Sequence, residues 1–187
     1  IPDSDSESEV DAPQTTGPQN TDTDACMKLS VHAATGTSSK ESIKLQGMVG
    51  ERQLLILVDS GSSINFISAD LVQELHCPVE EIAAAKVTIA NGGTLQCNKQ
   101  VPNLQWFCQN NSFNTSLRVL PLGTYDIILG MQWLETMSPM WVDWRKKVMR
   151  FKYQGVRITL RGVRDKLTSC TAISGKHLQG LLNTGVV

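Results

Sequence analysis

Residues 54 to 68 read LLILVDSGSSINFIS, and the acid in the middle of that run is the side chain best placed to do chemistry. Five apolar residues, Leu54 to Val58, lead straight into Asp59-Ser60-Gly61. A strand that apolar is expected to be buried on both faces. It would deliver a carboxylate to the edge of a core, the setting in which carboxylates change proton affinity and become catalysts. Ser60 can hydrogen-bond locally, and Gly61 lets the backbone turn sharply and lets another chain approach closely. The alternative is plain: Asp-Ser-Gly is also ordinary turn chemistry, and Asp59 could do no more than begin a turn.

Other candidates are weaker. The five cysteines, at 26, 77, 97, 108 and 170, form no C-x-x-C pair, and the histidines at 32, 76 and 177 lack ligand-like spacing. Neither a zinc site nor a disulfide framework is expected, and reduced thiols in a cytosol-like compartment are. His76 beside Cys77 suggests a thiol nucleophile, but adjacent residues after a helix are poorly placed for aligned proton transfer. No Gly-rich phosphate loop occurs, so no nucleotide and no other cofactor or metal is expected. Between Arg145 and Lys166 stand nine basic residues against one acid, Asp165. In VMRFKY the charges alternate with apolar residues, as on a strand with one wet face; an RNA-binding stripe is the rival explanation. Trp133, Trp141 and Trp144 are expected in the core or in dimer contacts, and Asp126 and Asp143 at a turn and a strand end.

The elements that must position Asp59 are mostly strands. Short apolar runs broken by Gly, Asn, Pro and Ser suggest strands near 28–34, 42–49, 52–58, 64–67, 86–90, 94–99, 103–109, 112–119, 125–129, 140–144, 147–153 and 155–160. Two segments are expected to be helical. One follows Ser68 as a cap, with Asp70 in the first turn, Leu71 and Leu75 four apart, and Pro78 as the stop. The other runs from Met131 to Met137, directly after Gly130. Asn91-Gly92-Gly93, between KVTIA and TLQC, is a hairpin signal, since both residue types tolerate positive φ.

Length and charge set the frame. At 187 residues and 41% hydrophobic, the chain fits one ordinary domain with room for tails. Residues 1–25 hold seven acids and no base, so the remainder carries +6 against a total of −1. That acidic stretch, rich in Ser, Thr, Pro and Gln, has too little apolar surface to offset its ordering entropy. Residues 1–26 are thus expected to be a disordered linker, 27–162 the domain, and 163–187 a second, flexible linker. No run of about eighteen apolar residues occurs, and the opening IPDSDSESEV lacks a leader pattern. A soluble chain that neither spans a membrane nor enters secretion is expected.

Roughly sixty residues after Asp59 comes YDIILGMQWL, a second apolar strand that ends in glycine and passes into a helix. Here the chain resembles the retropepsin-like aspartic proteases encoded in the polyproteins of gypsy-type LTR retrotransposons. The matching residues are Leu57-Val58-Asp59-Ser60-Gly61-Ser62-Ser63 with Asn65-Phe66-Ile67-Ser68, then Val87-Thr88-Ile89-Ala90-Asn91-Gly92. Val119-Leu120-Pro121-Leu122-Gly123 and Tyr125-Asp126-Ile127-Ile128-Leu129-Gly130, with Gln132-Trp133-Leu134, complete the set. Together they span about residues 28 to 155.

The resemblance implies a mainly β, closed retropepsin-like barrel with one or two short helices, functional as a two-fold homodimer. It implies Asp59, Ser60 and Gly61 as the catalytic loop, Leu129 and Gly130 as its psi-loop partners, and the Ala90, Asn91, Gly92 and Gly93 hairpin as a flap over substrate. Many members carry Thr where Ser60 stands; either residue supplies the hydroxyl that braces one loop against the other. The chemistry needs two aspartates, one to activate water and one to protonate the amide. No other Asp is followed by Ser-Gly or Thr-Gly, so the second must be Asp59 of another copy. Two carboxylates within about 3 Å cannot both stay ionised, so the pair would share a proton and give a bell-shaped acid-to-neutral profile. An extended polypeptide would bind as an added strand, with Val58, Ile89 and Leu120 furnishing apolar pockets. Processing of a Gag-Pol polyprotein in cytoplasmic virus-like particles follows from the same resemblance. A catalytically silent dimerisation or peptide-binding module of this fold is the rival.

Overall fold

The computed structural model describes residues 27–36 and 42–164. The expected linkers, 1–26 and 165 onward, lie outside the described residues, as do Cys26, Cys170 and His177. In chain order the elements are β1 (Met27–Leu29), α1 (Val31–Thr35), β2 (Ile43–Val49), β3 (Arg52–Val58), β4 (Phe66–Ser68), α2 (Ala69–Glu74) and β5 (Glu80–Ile89). There follow β6 (Thr94–Cys108), β7 (Asn111–Leu120), β8 (Ile127–Leu129), α3 (Met131–Thr136), β9 (Met140–Asp143), β10 (Val148–Tyr153) and β11 (Val156–Arg161). Among the described residues no helix is long and apolar enough to cross a membrane.

The main sheet runs β1-β5-β6-β2-β3-β8-β4-β7, and β7 also pairs with β6. The pairing therefore closes a ring of six strands, β6-β2-β3-β8-β4-β7, leaving β1 and β5 outside it. The chain is mainly β, with a closed barrel and three short helices among the described residues. Two apolar clusters explain the continuous runs in β3 and β8. Ile56, Val58, Ile127 and Leu129 face the barrel interior with Trp106, Phe113 and Trp133. Leu57 and Ile128 face outward into a second cluster with Leu29, Val87, Leu120 and Tyr125. These strands are thus buried on both faces, and alternation disappears from their sequence.

β9, β10 and β11 form a separate antiparallel sheet. Met149, Phe151, Ile158 and Leu160 turn its inner face onto the barrel core, where Phe151 meets Trp133 edge-on at 5.7 Å. Each such side chain contributes about 1.5–3 kcal/mol of apolar burial. Arg150 and Lys152 point the other way and are exposed, so the alternation in VMRFKY marks a sheet with one wet face.

The expected strand at 28–34 is shorter than anticipated. It ends at Leu29, and Ser30 caps α1, its Oγ accepting the N–H of Ala33 at 3.1 Å. The strands expected at 94–99 and 103–109 are one element, β6, whose register shifts between Val101 and Leu104. Pro102, which has no N–H to give a ladder, sits in that bulge. The strand expected from 86 begins at Glu80. Ser68 occupies the N-cap position of α2 without a side-chain cap bond. Trp133 is in the core, whereas Trp141 and Trp144 are 50% and 53% exposed.

Candidate active site

β3 ends at Val58, and the next residue, Asp59, donates its N–H to the carbonyl of Leu129 at 2.9 Å. That bond continues the parallel pairing of Val58 with Leu129, so the two chain segments singled out by sequence meet at the carboxylate's root. The Asp59 side chain is half-buried and held by two donors. Its Oδ1 accepts the N–H of Gly61 at 3.0 Å, and its Oδ2 accepts the hydroxyl of Ser62 at 2.6 Å. Ser62 is fully buried; having given its proton to Asp59, its Oγ accepts the N–H of Ser30 at 3.2 Å. The carboxylate plane is thereby fixed from both sides. Ser60 is exposed and makes no hydrogen bond with a described residue.

A second set of bonds locks the loop to α3. Asn65, buried, accepts the N–H of Gly130 on Oδ1 at 3.1 Å and donates from Nδ2 to Oε1 of Gln132 at 3.1 Å. The N–H of Met131 reaches the Ser62 carbonyl at 2.8 Å, and that of Gln132 the Ser63 carbonyl at 3.1 Å. Gly130 is required by close approach: a Cβ there would stand 2.2 Å from the Ile64 carbonyl oxygen and 2.7 Å from that of Ser62. Leu129 and Gly130 therefore lie against the Asp59 loop.

Asp126 does more than make a turn. Its Oδ2 accepts the N–H of Leu55 at 2.7 Å, its own N–H donates to the Leu55 carbonyl at 2.9 Å, and its carbonyl accepts from Ser68 at 2.9 Å. It stitches β3, β4 and β8 together at the N-terminal end of β8, four residues along β3 from the acid. Asp143, by contrast, caps a turn, accepting the N–H groups of Arg145 and Lys146 on Oδ1.

Asp59 opens into a cleft of about 650 Å³. Val58, Met131, Leu134, Met140, Val142 and Trp144 give it an apolar wall, with His32 and Ser60 among its polar groups. Asp59 is the one carboxylate among the described residues that line it. Of Val58, Ile89 and Leu120, Val58 lines the cleft, Leu120 is buried in the outer cluster and Ile89 packs against that cluster. α3 and the C-terminal sheet supply the apolar surface instead.

The residues from Ala90 to Gly93 form the turn between β5 and β6. Gly92 carries the positive φ, +91°, while Asn91 works through its side chain, Oδ1 accepting the N–H of Gly93 at 3.0 Å. The turn does not line the cleft but is linked to the acid loop through β1. The Ala90 N–H donates to the Leu29 carbonyl at 3.1 Å, and that of Ser63 to the Lys28 carbonyl at 3.0 Å.

Ser30, Ser62, Asn65 and Asp126 were not anticipated as site residues. The detectable signal was a polar residue within an apolar stretch, as Asn65 is between Ile64 and Phe66, because a buried amide must find partners. Among the described cysteines, Cys77, Cys97 and Cys108 are free thiols. Burial pushes Cys108 up to about 11 and raises Cys77, so neither is a ready nucleophile.

A closed six-stranded barrel carrying Asp-Ser-Gly beside an apolar strand that ends in glycine is a retroviral protease-like fold. Among solved structures the chain is similar to the retroviral protease-like domain of Ddi1 from Leishmania major, with a TM-score of 0.51. Identity is 12%, and the likeness covers 67% of this chain and 96% of that one, so it is a likeness of fold. The family model of the PEG10/RTL1 protease domain matches residues 55–157, more than half of the chain, which belongs to that family. A search of curated proteins found no match.

Proposed function

We propose that the chain is an aspartic endopeptidase that works as a homodimer, Asp59 of each copy supplying one carboxylate. The observation that carries this is the fixed Asp59 carboxylate at a cleft that offers no second acid from the described residues. Peptide hydrolysis by acid pairs needs two, and membership of a protease family favours completing the pair over abandoning it. In the half-ionised pair, the charged carboxylate takes a proton from water as the water oxygen adds to the peptide carbonyl. The protonated partner gives its proton to the carbonyl oxygen, forming a neutral gem-diol; as the C–N bond breaks, the first carboxylate passes the proton taken from water to the nitrogen and a gem-diol hydroxyl returns its proton to the partner.

The substrate is an extended polypeptide paired through its main chain, with apolar side chains against Met131, Leu134 and Val142. The Ala90 to Gly93 turn closes over it as a flap, excluding water. Its natural target is a polyprotein of gypsy-type origin, processed in cytoplasmic virus-like particles. Asp59→Asn is the test: wild type hydrolyses an apolar peptide, and the variant, folded by near-UV circular dichroism, falls by about 10²–10⁴-fold or more. Equal hydrolysis by both would remove the catalytic role of Asp59, and no hydrolysis by either would leave a silent peptide-binding module.

A further inference from the structure

The outer face of the β9–β11 sheet is rich in cations. Arg150, Lys152, Arg157 and Arg161 are exposed there, and Lys152 lies directly opposite Arg157 in the ladder. Like charges placed so repel. The face's acid, Asp143, is engaged by two turn amides and by the Lys146 ammonium at 3.8 Å. Arg150, Lys152 and Arg157 make no ion pair with any described residue, although the Arg150 guanidinium stacks 4.7 Å from the half-exposed Trp141 ring. Together with Ser138 and Pro139 these residues line a hollow of about 450 Å³.

The same chain carries the complementary charge. Residues 1–25 hold seven carboxylates and no base, and they join the domain at Met27, where Lys28 is bonded to Ser63 beside the Asp59 loop. The sheet's first strand reaches the same place, Val142 and Trp144 lining the Asp59 cleft. A chain of this length without fixed structure would have a root-mean-square span of about 28 Å, against a radius of gyration near 14 Å for a domain of this size. Every part of the face is within reach.

We infer that the acidic arm, residues 1–26, docks on this sheet face of its own chain, its carboxylates pairing with Arg150, Lys152 and Arg157. Three cations bind a free polyanion weakly and lose it rapidly with salt. A tethered partner sits at an effective concentration of the order of millimolar, so weak contacts suffice. That difference favours the arm over RNA as the resident occupant.

The test compares the native chain, ¹⁵N-labelled, with one whose seven arm acids are changed to Asn or Gln. At ~0.01 M salt the amides of Arg150, Lys152 and Arg157 and the Trp141 indole N–H are expected to differ between the two chains. The differences should vanish near 1 M, where the Debye length is about 3 Å. The triple variant Arg150→Gln, Lys152→Gln, Arg157→Gln should reproduce the change from the other side, in the arm's own amides. An oligouridylate should bind the arm-neutralised chain several-fold more tightly than the native one. Coincident sheet spectra at low salt would overturn the proposal. So would equal oligouridylate binding by both chains, which assigns the face to RNA, or differences that grow with protein concentration, which assign it to another copy's arm.

Discussion

Two turns of this chain use the same local device. Asp59 Oδ1 accepts the N–H of Gly61 at 3.0 Å, and Asn91 Oδ1 accepts the N–H of Gly93 at 3.0 Å. Their surroundings differ. The Asp59 loop is held by residues some thirty to seventy positions away: Leu129 on the Asp59 amide, Ser30 on Ser62, Met131 on the Ser62 carbonyl, and Asn65 on Gly130. The Asn91 turn is exposed and closes mainly on itself, through Ile89, Gly92 and Gly93, with one longer bond from Ala90 to Leu29. An acid in a turn is therefore not by itself a site. A rigid carboxylate comes from the long-range bonds around it, whereas a turn with only one of them can move more readily, which suits a flap.

The comparison can be broken from its strongest element downward. Gly130→Ala places a methyl against the Ile64 and Ser62 carbonyls, and is expected to cost about 3 kcal/mol in urea unfolding. A loss below about 1 kcal/mol would mean that the loop frame yields. Asn65→Leu keeps the branched outline but orphans the buried Gly130 N–H, with an expected cost of about 2 kcal/mol. Ser62→Ala frees one side of the Asp59 carboxylate for about 1 kcal/mol; under the proposed function kcat falls while KM holds. Gly92→Ala meets no neighbour within 4 Å, so only its positive φ matters, about 1 kcal/mol or slightly more. Much of that cost is expected as local opening near the turn, read by amide exchange, with the barrel's protection unchanged.

Alkali probes the barrel without touching either turn. Because burial raises the folded Cys108 thiol to about 11, the unfolded chain releases that proton first. Stability present below about pH 9 is then lost progressively up to about pH 11, at up to ~1.4 kcal/mol per pH unit. Cys108→Val should flatten that slope.

The acid strand, its glycine-ended partner and the hairpin were all legible in sequence, because each is written in consecutive residues: Leu54 to Val58, Ile127 to Gly130, Asn91 to Gly93. What was not legible depends on who meets whom. Ser62 reads like any serine beside a glycine until Ser30 arrives from β1's end, and Asp126 reads like a turn residue until β3 passes beside it. That Ile89 and Leu120 join the outer cluster while Val58 lines the cleft was hidden for the same reason. Alternation shows that a side chain is buried, but only the barrel's closure decides which of the two clusters receives it. Of the three tryptophans expected in the core or in dimer contacts, Trp133 is in the core, while Trp141 and Trp144 are exposed on the outer side and rim of a sheet whose inner face is already filled by Met149 and Phe151.

The central claim is that each active site takes one Asp59 from each of two chains, and mixing tests it most directly. Wild type and Asp59→Asn, combined in equal amounts at a concentration where both are dimeric and allowed to exchange, should form mixed dimers lacking one acid. Hydrolysis per wild-type chain is then expected to fall to about half its unmixed value, as random pairing dictates. Hydrolysis per wild-type chain that stays unchanged across all mixing ratios would show that one chain suffices, and would contradict the account.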